Sequence, residues 1–151
     1  MVYDLNLKSK LLEECKKIQL KAVDNLRAVI DEAQQSANEY GAPKDRYDSF
    51  RMQLLRKKDM YSQQIEKSLL ELQTLEKIDV NKKMLKVDFG ALVITNNQKI
   101  FISVGLGKII IDSETFYAVS PMVPLSKLLK GRQKGETVTL NGKNIEIIEV
   151  F

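Results

Sequence analysis

The 151-residue sequence contains no histidine and only one cysteine, Cys15. Zinc sites built from histidine and cysteine, cysteine–histidine nucleophiles and serine–histidine triads therefore lack their residues. A single cysteine also cannot form a disulfide within the chain. Most familiar hydrolase chemistry is thereby excluded, and we expect Cys15 to be a small buried residue.

Long hydrophobic runs are missing as well. No apolar stretch approaches the roughly 20 residues that a helix needs to cross a bilayer, and residues 1–5 lack the basic-then-apolar order of a signal peptide. We therefore expect no membrane partner and a cytoplasmic location. The apolar fraction of 44% and the charged fraction of 29% are those of a folded chain, not a disordered one.

A strong excess of one charge is also absent. The net charge is +4, with 14 basic and 13 acidic residues up to Ile78 and 10 and 7 after it. Neither half is basic enough to indicate a module that binds free duplexes. The lysine and arginine clusters of the first half are interpreted first as solvated helix faces.

Glycine and proline are scarce, and their absence marks two long segments. Residues 5–37 and 50–78 contain neither, and apolar residues recur in both at steps of three and four. Each segment predicts a helix with one apolar stripe. The first stripe comprises Leu11, Cys15, Ile18, Ala22, Leu26, Val29, Ala33 and Ala37, and the second Phe50, Leu54, Tyr61, Ile65, Leu69, Leu72 and Leu75.

Gly41 and Pro43 stand between the two segments, where a reversal of the chain would fall. Gly suits the C-terminal cap of a helix and Pro the position just beyond it, so a hairpin is favoured over a parallel dimer. We expect an antiparallel coiled coil over residues 1–79 with its tip near 38–48, about 45 Å long for about 31 helical residues per arm. Because the two stripes cover each other, we expect a monomer.

After Ile78 the sequence changes to β-branched, alternating segments, which predicts a second domain over residues 80–151. A hairpin is predicted at Asn96-Asn97, because Asn tolerates positive φ, and another at Asn141-Gly142. Residues 124–130 suit a short helix ended by Gly131. The fold class is thus α+β, a helical hairpin followed by a small antiparallel sheet with one helix. The strands are predicted at 86–95, 98–104, 109–111, 116–119, 138–140 and 144–150.

Five segments of the second domain match one family pattern in order and spacing. They are Val87-Asp88-Phe89-Gly90-Ala91-Leu92-Val93, Ser120-Pro121, Pro124-Leu125-Ser126-Lys127-Leu128-Leu129-Lys130-Gly131, Lys134-Gly135-Glu136-Thr137-Val138 and Ile145-Glu146-Ile147-Ile148. This pattern resembles the C-terminal domain of Gre-type transcription elongation factors, whose sheet is shaped like that of FKBP prolyl isomerases. The family also carries an N-terminal helical hairpin, so the resemblance covers the whole architecture although its motifs lie within residues 86–151.

The resemblance implies a partner and a mechanism. Gre-type factors dock on bacterial RNA polymerase and insert the coiled coil into its secondary channel, where tip acids help to hold a catalytic Mg²⁺ near the RNA 3′ end. The polymerase then cuts backtracked RNA itself. Two metals flanking a phosphate stabilise the attacking and leaving oxygens, and Mg²⁺ prefers carboxylate oxygens. The protein would thus be no enzyme itself, would bind no cofactor tightly, and would share Mg²⁺ with polymerase.

The tip departs from the family pattern G-D-L-x-E-N-A-E-Y. If Tyr47 takes the place of the motif's tyrosine, the two metal-handling acids fall on Tyr40 and Pro43, so a residue-by-residue transfer fails. By position alone, the candidate catalytic residues are Glu39, Asp45 and Asp48, with Glu39 and Asp45 as candidate metal ligands. Asp45 and Asp48 also fit a helix N-cap and its acidic third position. Glu39 opposes the dipole at a helix C-terminus, which makes it the sharper functional candidate.

The remaining candidate residues form two groups, according to the partner surface that each is expected to contact. Contact with RNA phosphates or channel walls is expected of basic residues at and near the tip, without sequence readout. Docking on polymerase is expected of a few residues of the second domain. A structural role, in a turn or on the core face of a helix, explains the same residues almost as well. The basic candidates are Lys44, Arg46, Arg51, Arg56, Lys57 and Lys58, and the docking candidates are Ser120, Pro121, Leu125 and Leu128.

Four functions remain in competition at this point. The chain is either a cleavage-stimulating factor, a secondary-channel regulator without cleavage, an FKBP-type prolyl isomerase or a coiled-coil scaffold. Few aromatic residues are present to line a proline pocket, and fold similarity alone carries no activity. A scaffold would self-associate, whereas a hairpin with covered stripes would not.

Overall fold

The computed structural model describes residues 3–40 and 49–151. Helix α1 (Leu5–Tyr40) begins after Asp4, whose Oδ1 accepts the N–H of Leu7 at 3.0 Å as an N-cap. Helix α2 (Ser49–Glu76) follows. The predicted turn residues Gly41 and Pro43 lie outside the described residues. Contacts divide the chain into two compact units, which are Lys17–Gln73 and the combination of Met1–Lys16 with Thr74–Phe151. Both helices therefore contribute to both units.

In the Lys17–Gln73 unit, the two helices run antiparallel. Gln19, early in α1, contacts Ser68 and Glu71, late in α2, whereas Lys58 Nζ donates to Gln34 Oε1 at 2.8 Å. Later residues of α1 thus meet earlier residues of α2. The predicted helical hairpin is confirmed.

The predicted stripe of α1 is buried at both ends, at Leu11, Cys15, Ala33 and Ala37. In its middle the buried residues are Gln19 and Val23, so the stripe is shifted there by one position and includes a polar residue. Gln19 is only 3% exposed, and Val23 is buried beside it on the same face. The Gln19 amide donates to Glu71 Oε2 at 2.8 Å and to the carbonyl oxygen of Ser68 at 3.2 Å. Because both N–H groups are satisfied, the side chain tolerates burial, and it fixes the register of the helices.

The second half of the chain forms a six-stranded sheet in the order β3-β4-β2-β1-β6-β5, with one short helix, α3 (Pro124–Leu129). The predicted fold class is confirmed, with one refinement: β2 and β4 are parallel, so the sheet is mixed. Strands β3 and β4 form a hairpin after β2, and the second strand of that hairpin, β4, lies beside β2. The strands are β1 (Leu92–Thr95), β2 (Lys99–Ile102), β3 (Gly107–Ile111), β4 (Glu114–Val119), β5 (Thr137–Leu140) and β6 (Lys143–Val150).

In each of three hairpins, a two-residue turn joins the two strands. Asn141-Gly142 has φ angles of 51° and 77°, as a type I′ turn requires. Asp112-Ser113, which the sequence did not mark, has the same character, with φ of 48° and 68°. Asn96-Asn97 is a turn, but neither Asn has a positive φ. It is closed instead by Thr95, whose Oγ1 accepts the N–H groups of Asn97 and Gln98.

The first predicted strand begins later than expected, at Leu92 and not at residue 86. The N–H of Ala91 donates to the Asp88 carbonyl at 3.0 Å, and Gly90 has a φ of 87°, so residues 88–91 form a turn. A Cβ at Gly90 would lie 3.4 Å from Ile78 Cγ2. That distance is an ordinary van der Waals contact, so the positive φ is what favours glycine here.

The central strands β1 and β2 are buried on both faces of the sheet, whereas β3, β5 and β6 alternate buried and exposed residues. One face carries Val93, Ile100 and Ile147, packed with Leu129 of α3. Side chains alternate along a strand, so Phe101 and Phe116 face the other side. The start of α1 lies against the sheet, where the Cys15 thiol hydrogen-bonds Ser103. Cys15 is buried, as expected.

A lysine is also fully buried in this unit. Lys8 Nζ donates to the carbonyl oxygen of Phe151 at 3.3 Å. Desolvation lowers the pKa of Lys8, and the nearby charge of Asp79 acts in the opposite direction. No helix within the described residues is long and apolar enough to cross a membrane.

Candidate functional site

Only one of the three candidate acids lies within the residues that the structure describes. Glu39 lies in the last turn of α1 and is exposed, and its Oε1 accepts one hydrogen bond from Gln35 Nε2 at 3.0 Å. A carboxylate has further acceptor capacity beyond one such bond. Asp45 and Asp48 lie outside the described residues. Within residues 3–40 and 49–151, no group of three or more metal-binding side chains comes together.

Two of the basic candidates connect the helices of the hairpin. Arg51 Nη1 donates to the carbonyl oxygen of Ala37 at 3.0 Å, and Lys58 Nζ bonds Gln34. Arg56 is exposed, and the Lys57 Nζ lies 5.9 Å from the centroid of the Tyr61 ring. Arg51 and Lys58 therefore hold the two helices together, whereas Arg56 and Lys57 face outward. Lys44 and Arg46 lie outside the described residues.

The docking candidates differ in what they do locally. Ser120 Oγ accepts the N–H of Met122 at 3.1 Å, and the Ser120 carbonyl accepts the Ser126 hydroxyl at 2.8 Å, so Ser120 shapes the turn that leads into α3. Leu125 and Leu128 are partly buried against the sheet core. Pro121 is exposed.

The structure adds residues to this surface that sequence reasoning did not identify. Pro121 and Met122 line a cavity of about 200 Å³ together with Phe89, Lys127 and Lys130, which we call the α3 pocket. Met122 is 70% exposed, a large apolar side chain between Pro121, which follows β4, and Pro124, which begins α3. That isolated methionine in a proline-rich turn is the signal that points to the pocket.

Basic residues surround the α3 pocket. Lys127 and Lys130 are exposed on its rim, and neither has a carboxylate partner within the described residues. Asp88 also lines the pocket, with its Oδ1 accepting the Phe89 N–H at 2.7 Å. The surface therefore combines an apolar floor with a mostly positive rim.

Glu149, on β6, is fully engaged. Its carboxylate contacts Lys134 at 2.8 Å and Lys83 at 2.9 Å, and these hydrogen bonds lower the pKa of Glu149, that from Lys134 most strongly. Arg132 contacts Glu136 at 3.7 Å. These pairs are exposed and stabilise the fold little, but they leave no free acid among them.

No protein-family model and no curated protein matches the chain. Among solved structures, GreA factor homolog 1 of Thermus thermophilus is similar at 13% identity, over 90% of this chain and 94% of that one, with a TM-score of 0.34. A structure of the transcription factor Gfh1 is similar at 14% identity, over 89% and 92%, with a TM-score of 0.33.

Proposed function

We propose that this protein is a Gre-type transcription factor that binds bacterial RNA polymerase. The observation that carries the proposal is the placement of the five family-like segments, which follow a helical hairpin in the expected order. They form the Gly90 turn with the start of β1, the turn before α3, α3 itself, the turn before β5, and the centre of β6. Segments that match one pattern and build one continuous domain support a shared docking role.

The α3 pocket is the part of this domain that we assign to docking. An exposed methionine and proline over an apolar floor fit an apolar side chain of a partner, and the lysine rim fits acidic groups around that side chain. Small well-packed pockets of this kind carry much of the energy of protein interfaces. Leu125 and Leu128 then act indirectly, because they seat α3 on the core.

The helical hairpin is proposed to enter the secondary channel of polymerase. Helix α1 has 36 residues, so it is about 54 Å long. Glu39 presents an exposed carboxylate at its C-terminal end, and Asp45 and Asp48 follow in the sequence. One carboxylate is consistent with a Mg²⁺ whose other ligands come from polymerase and water. The protein would position this acid and leave the cutting of RNA to polymerase.

A second candidate function is a channel-occupying regulator that does not stimulate cleavage. The altered tip favours it: if Tyr47 takes the place of the tyrosine of the family pattern, the two metal-handling acids of that pattern fall on Tyr40 and Pro43. Tyr40 and Pro43 offer no carboxylate for Mg²⁺. Both candidates share the docking surface and differ only at the tip.

Replacing Met122 with glutamate is expected to weaken binding to purified core RNA polymerase at least about tenfold, because the charge must be desolvated in an apolar contact. Biolayer interferometry with the immobilised full chain measures the effect. Ile110→Glu is the matched control, since Ile110 is similarly exposed but lies on β3, outside the pocket. Equal binding of both variants, or no binding by the intact protein, would contradict the docking proposal.

A backtracked elongation complex separates the two functions at the tip. If the protein stimulates cleavage, Glu39→Gln is expected to slow RNA cleavage about tenfold or more while polymerase binding is unchanged. The reason is that the amide lacks the charge of the carboxylate that Mg²⁺ prefers, and loss of a group that supports a metal site reduces activity by about this factor. Glu32→Gln serves as control, because Glu32 is exposed two turns earlier on α1. Binding without any cleavage by the intact protein would instead support the regulator.

A further inference from the structure

Two open cavities lie side by side at one end of the sheet, on either side of the β1–β2 turn. One, of about 520 Å³, lies between this turn and the β3–β4 hairpin. The other, of about 480 Å³, lies between the same turn, α3 and the β5–β6 turn. Asn97 and Gln98 line both cavities. We call the pair the turn-end groove; each volume is within the range of ligand sites.

The strand order explains why these elements meet. Strands β2 and β4 are parallel, so the turns that precede them lie at the same end of the sheet. Strand β6 is antiparallel to β1 and pairs Ile147 with Thr95, so its first residues extend beyond the end of β1. All three two-residue turns therefore project from one end, and the gaps between them form the groove.

The first half of the groove offers polar groups that the protein does not use. Lys108, Thr115 and Tyr117 line it, and within the described residues none of their side chains has a hydrogen bond or ion pair. The carboxylate there, Glu114, is already bound by Lys99 at 2.9 Å and by the Tyr3 hydroxyl at 3.1 Å. The open positive charge at this end is thus Lys108.

The second half has an apolar floor and another open cation. Leu125 and Leu140 are partly buried against the core, and Ile145 is buried, so the floor is held rigid by packing. Lys143 lines the rim, is exposed, and has no carboxylate partner in the part of the chain that the structure describes. A ligand here meets apolar surface and positive charge together.

The distance between the two lysines sets the length of the ligand. Lys108 is on β3 and Lys143 on β6, and the strands β4, β2 and β1 lie between. Four strand spacings of about 4.8 Å place them at least roughly 19 Å apart. An extended peptide rises about 3.3 Å per residue, so a chain that reaches both needs at least about six residues. The ligand that fits is a polymer segment.

We propose that the turn-end groove binds an extended acidic peptide segment of a partner protein, with acidic residues opposite Lys108 and Lys143. Apolar residues next to the acid at Lys143 pack on Leu125 and Leu140, since Leu140 is the cross-strand neighbour of Lys143. The side-chain amides of Asn97 and Gln98 hydrogen-bond to its backbone. Nucleic acid fits less well, because single strands are bound by aromatic platforms and the groove offers one aromatic residue, Tyr117. This inference does not depend on the polymerase proposal, since the groove and the α3 pocket share no lining residue.

The probe is a fluorescein-labelled peptide of about twelve residues with two glutamates at each end and alternating serine and leucine between them. Fluorescence anisotropy with the full chain measures the Kd. Lys108→Gln and Lys143→Gln are each expected to weaken binding about two- to fivefold, and together about tenfold, as two exposed charge contacts imply. The control is the double variant Lys82→Gln, Lys86→Gln, which removes the same charge as the double variant at Lys108 and Lys143 but outside the groove. It is expected to leave the Kd unchanged.

Three outcomes would overturn the inference. The first is no peptide binding up to about millimolar concentration, which is the weak limit of specific association. The second is equal binding of a peptide with glutamines in place of the glutamates. The third is binding of an oligothymidylate that depends on Lys108 and Lys143 and excludes the acidic peptide. Because all four substitutions replace exposed lysines, loss of folding does not confuse the result.

Discussion

Replacing Phe116 with alanine is expected to lower the free energy of unfolding by about 3–5 kcal/mol, the range for loss of a fully buried aromatic side chain. Phe116 is 0% exposed and pairs with buried Ile109 across β3 and β4. The Lys99 Nζ lies 5.5 Å from the centroid of its ring, where a cation–π contact adds to the packing. The cavity left by alanine therefore removes both apolar burial and this contact.

Urea denaturation followed by circular dichroism measures this loss. Tyr117→Ala is the matched control, because Tyr117 is the next residue on the same strand, faces the other side and is 37% exposed. We expect it to cost about 1 kcal/mol, in the ordinary range of single substitutions. Equal losses for the two variants would mean that Phe116 is not held in the core as described.

The Cys15 thiol is expected to react about a thousandfold more slowly with a disulfide reagent at pH 8 in the folded protein than in urea. Desolvation, helped by the nearby charge of Glu14 and opposed by the Ser103 hydrogen bond, raises the pKa of Cys15 from 9.0 to about 12. The reactive thiolate at pH 8 therefore becomes about a thousandfold rarer. Burial within the sheet unit restricts access further.

Because Cys15 is the single cysteine, the reaction of the protein with the disulfide reagent measures the reactivity of this thiol alone. Folded protein titrated from pH 8 to pH 10 should gain rate about tenfold per pH unit, since the thiolate fraction rises by that factor well below the pKa. Ser103→Ala should slow the reaction further, because that hydrogen bond favours the thiolate. A rate in the folded protein near that in urea would show that Cys15 is not buried.

Local sequence signals predicted the elements that depend on neighbouring residues. Apolar residues at steps of three and four, uninterrupted by Gly or Pro over residues 5–37, predict helix α1. Asn141-Gly142 predicts a type I′ turn, because both residues tolerate a positive φ. The short helix α3 follows from Pro124 at its start. The order of these elements, and with it the family resemblance, can be read in the same way.

The candidate site was only partly accessible to such reasoning. Glu39 and Pro121 were identified by position, and both are exposed. Met122 and Lys130 were not, because a pocket forms when Phe89, over 30 positions earlier in the chain, is brought beside α3. No local sequence pattern indicates that Phe89 and α3 lie close together.

What the sequence determined by itself is therefore the helical hairpin, the strands and the α+β class, since short-range periodicity and turn chemistry set them. Only the tertiary structure decided the parallel pairing of β2 with β4, the burial of Gln19 against Glu71, the α3 pocket and the turn-end groove. These depend on contacts between residues far apart in the chain. Such contacts form when packing and hydrogen bonding of the whole unit outweigh local preference.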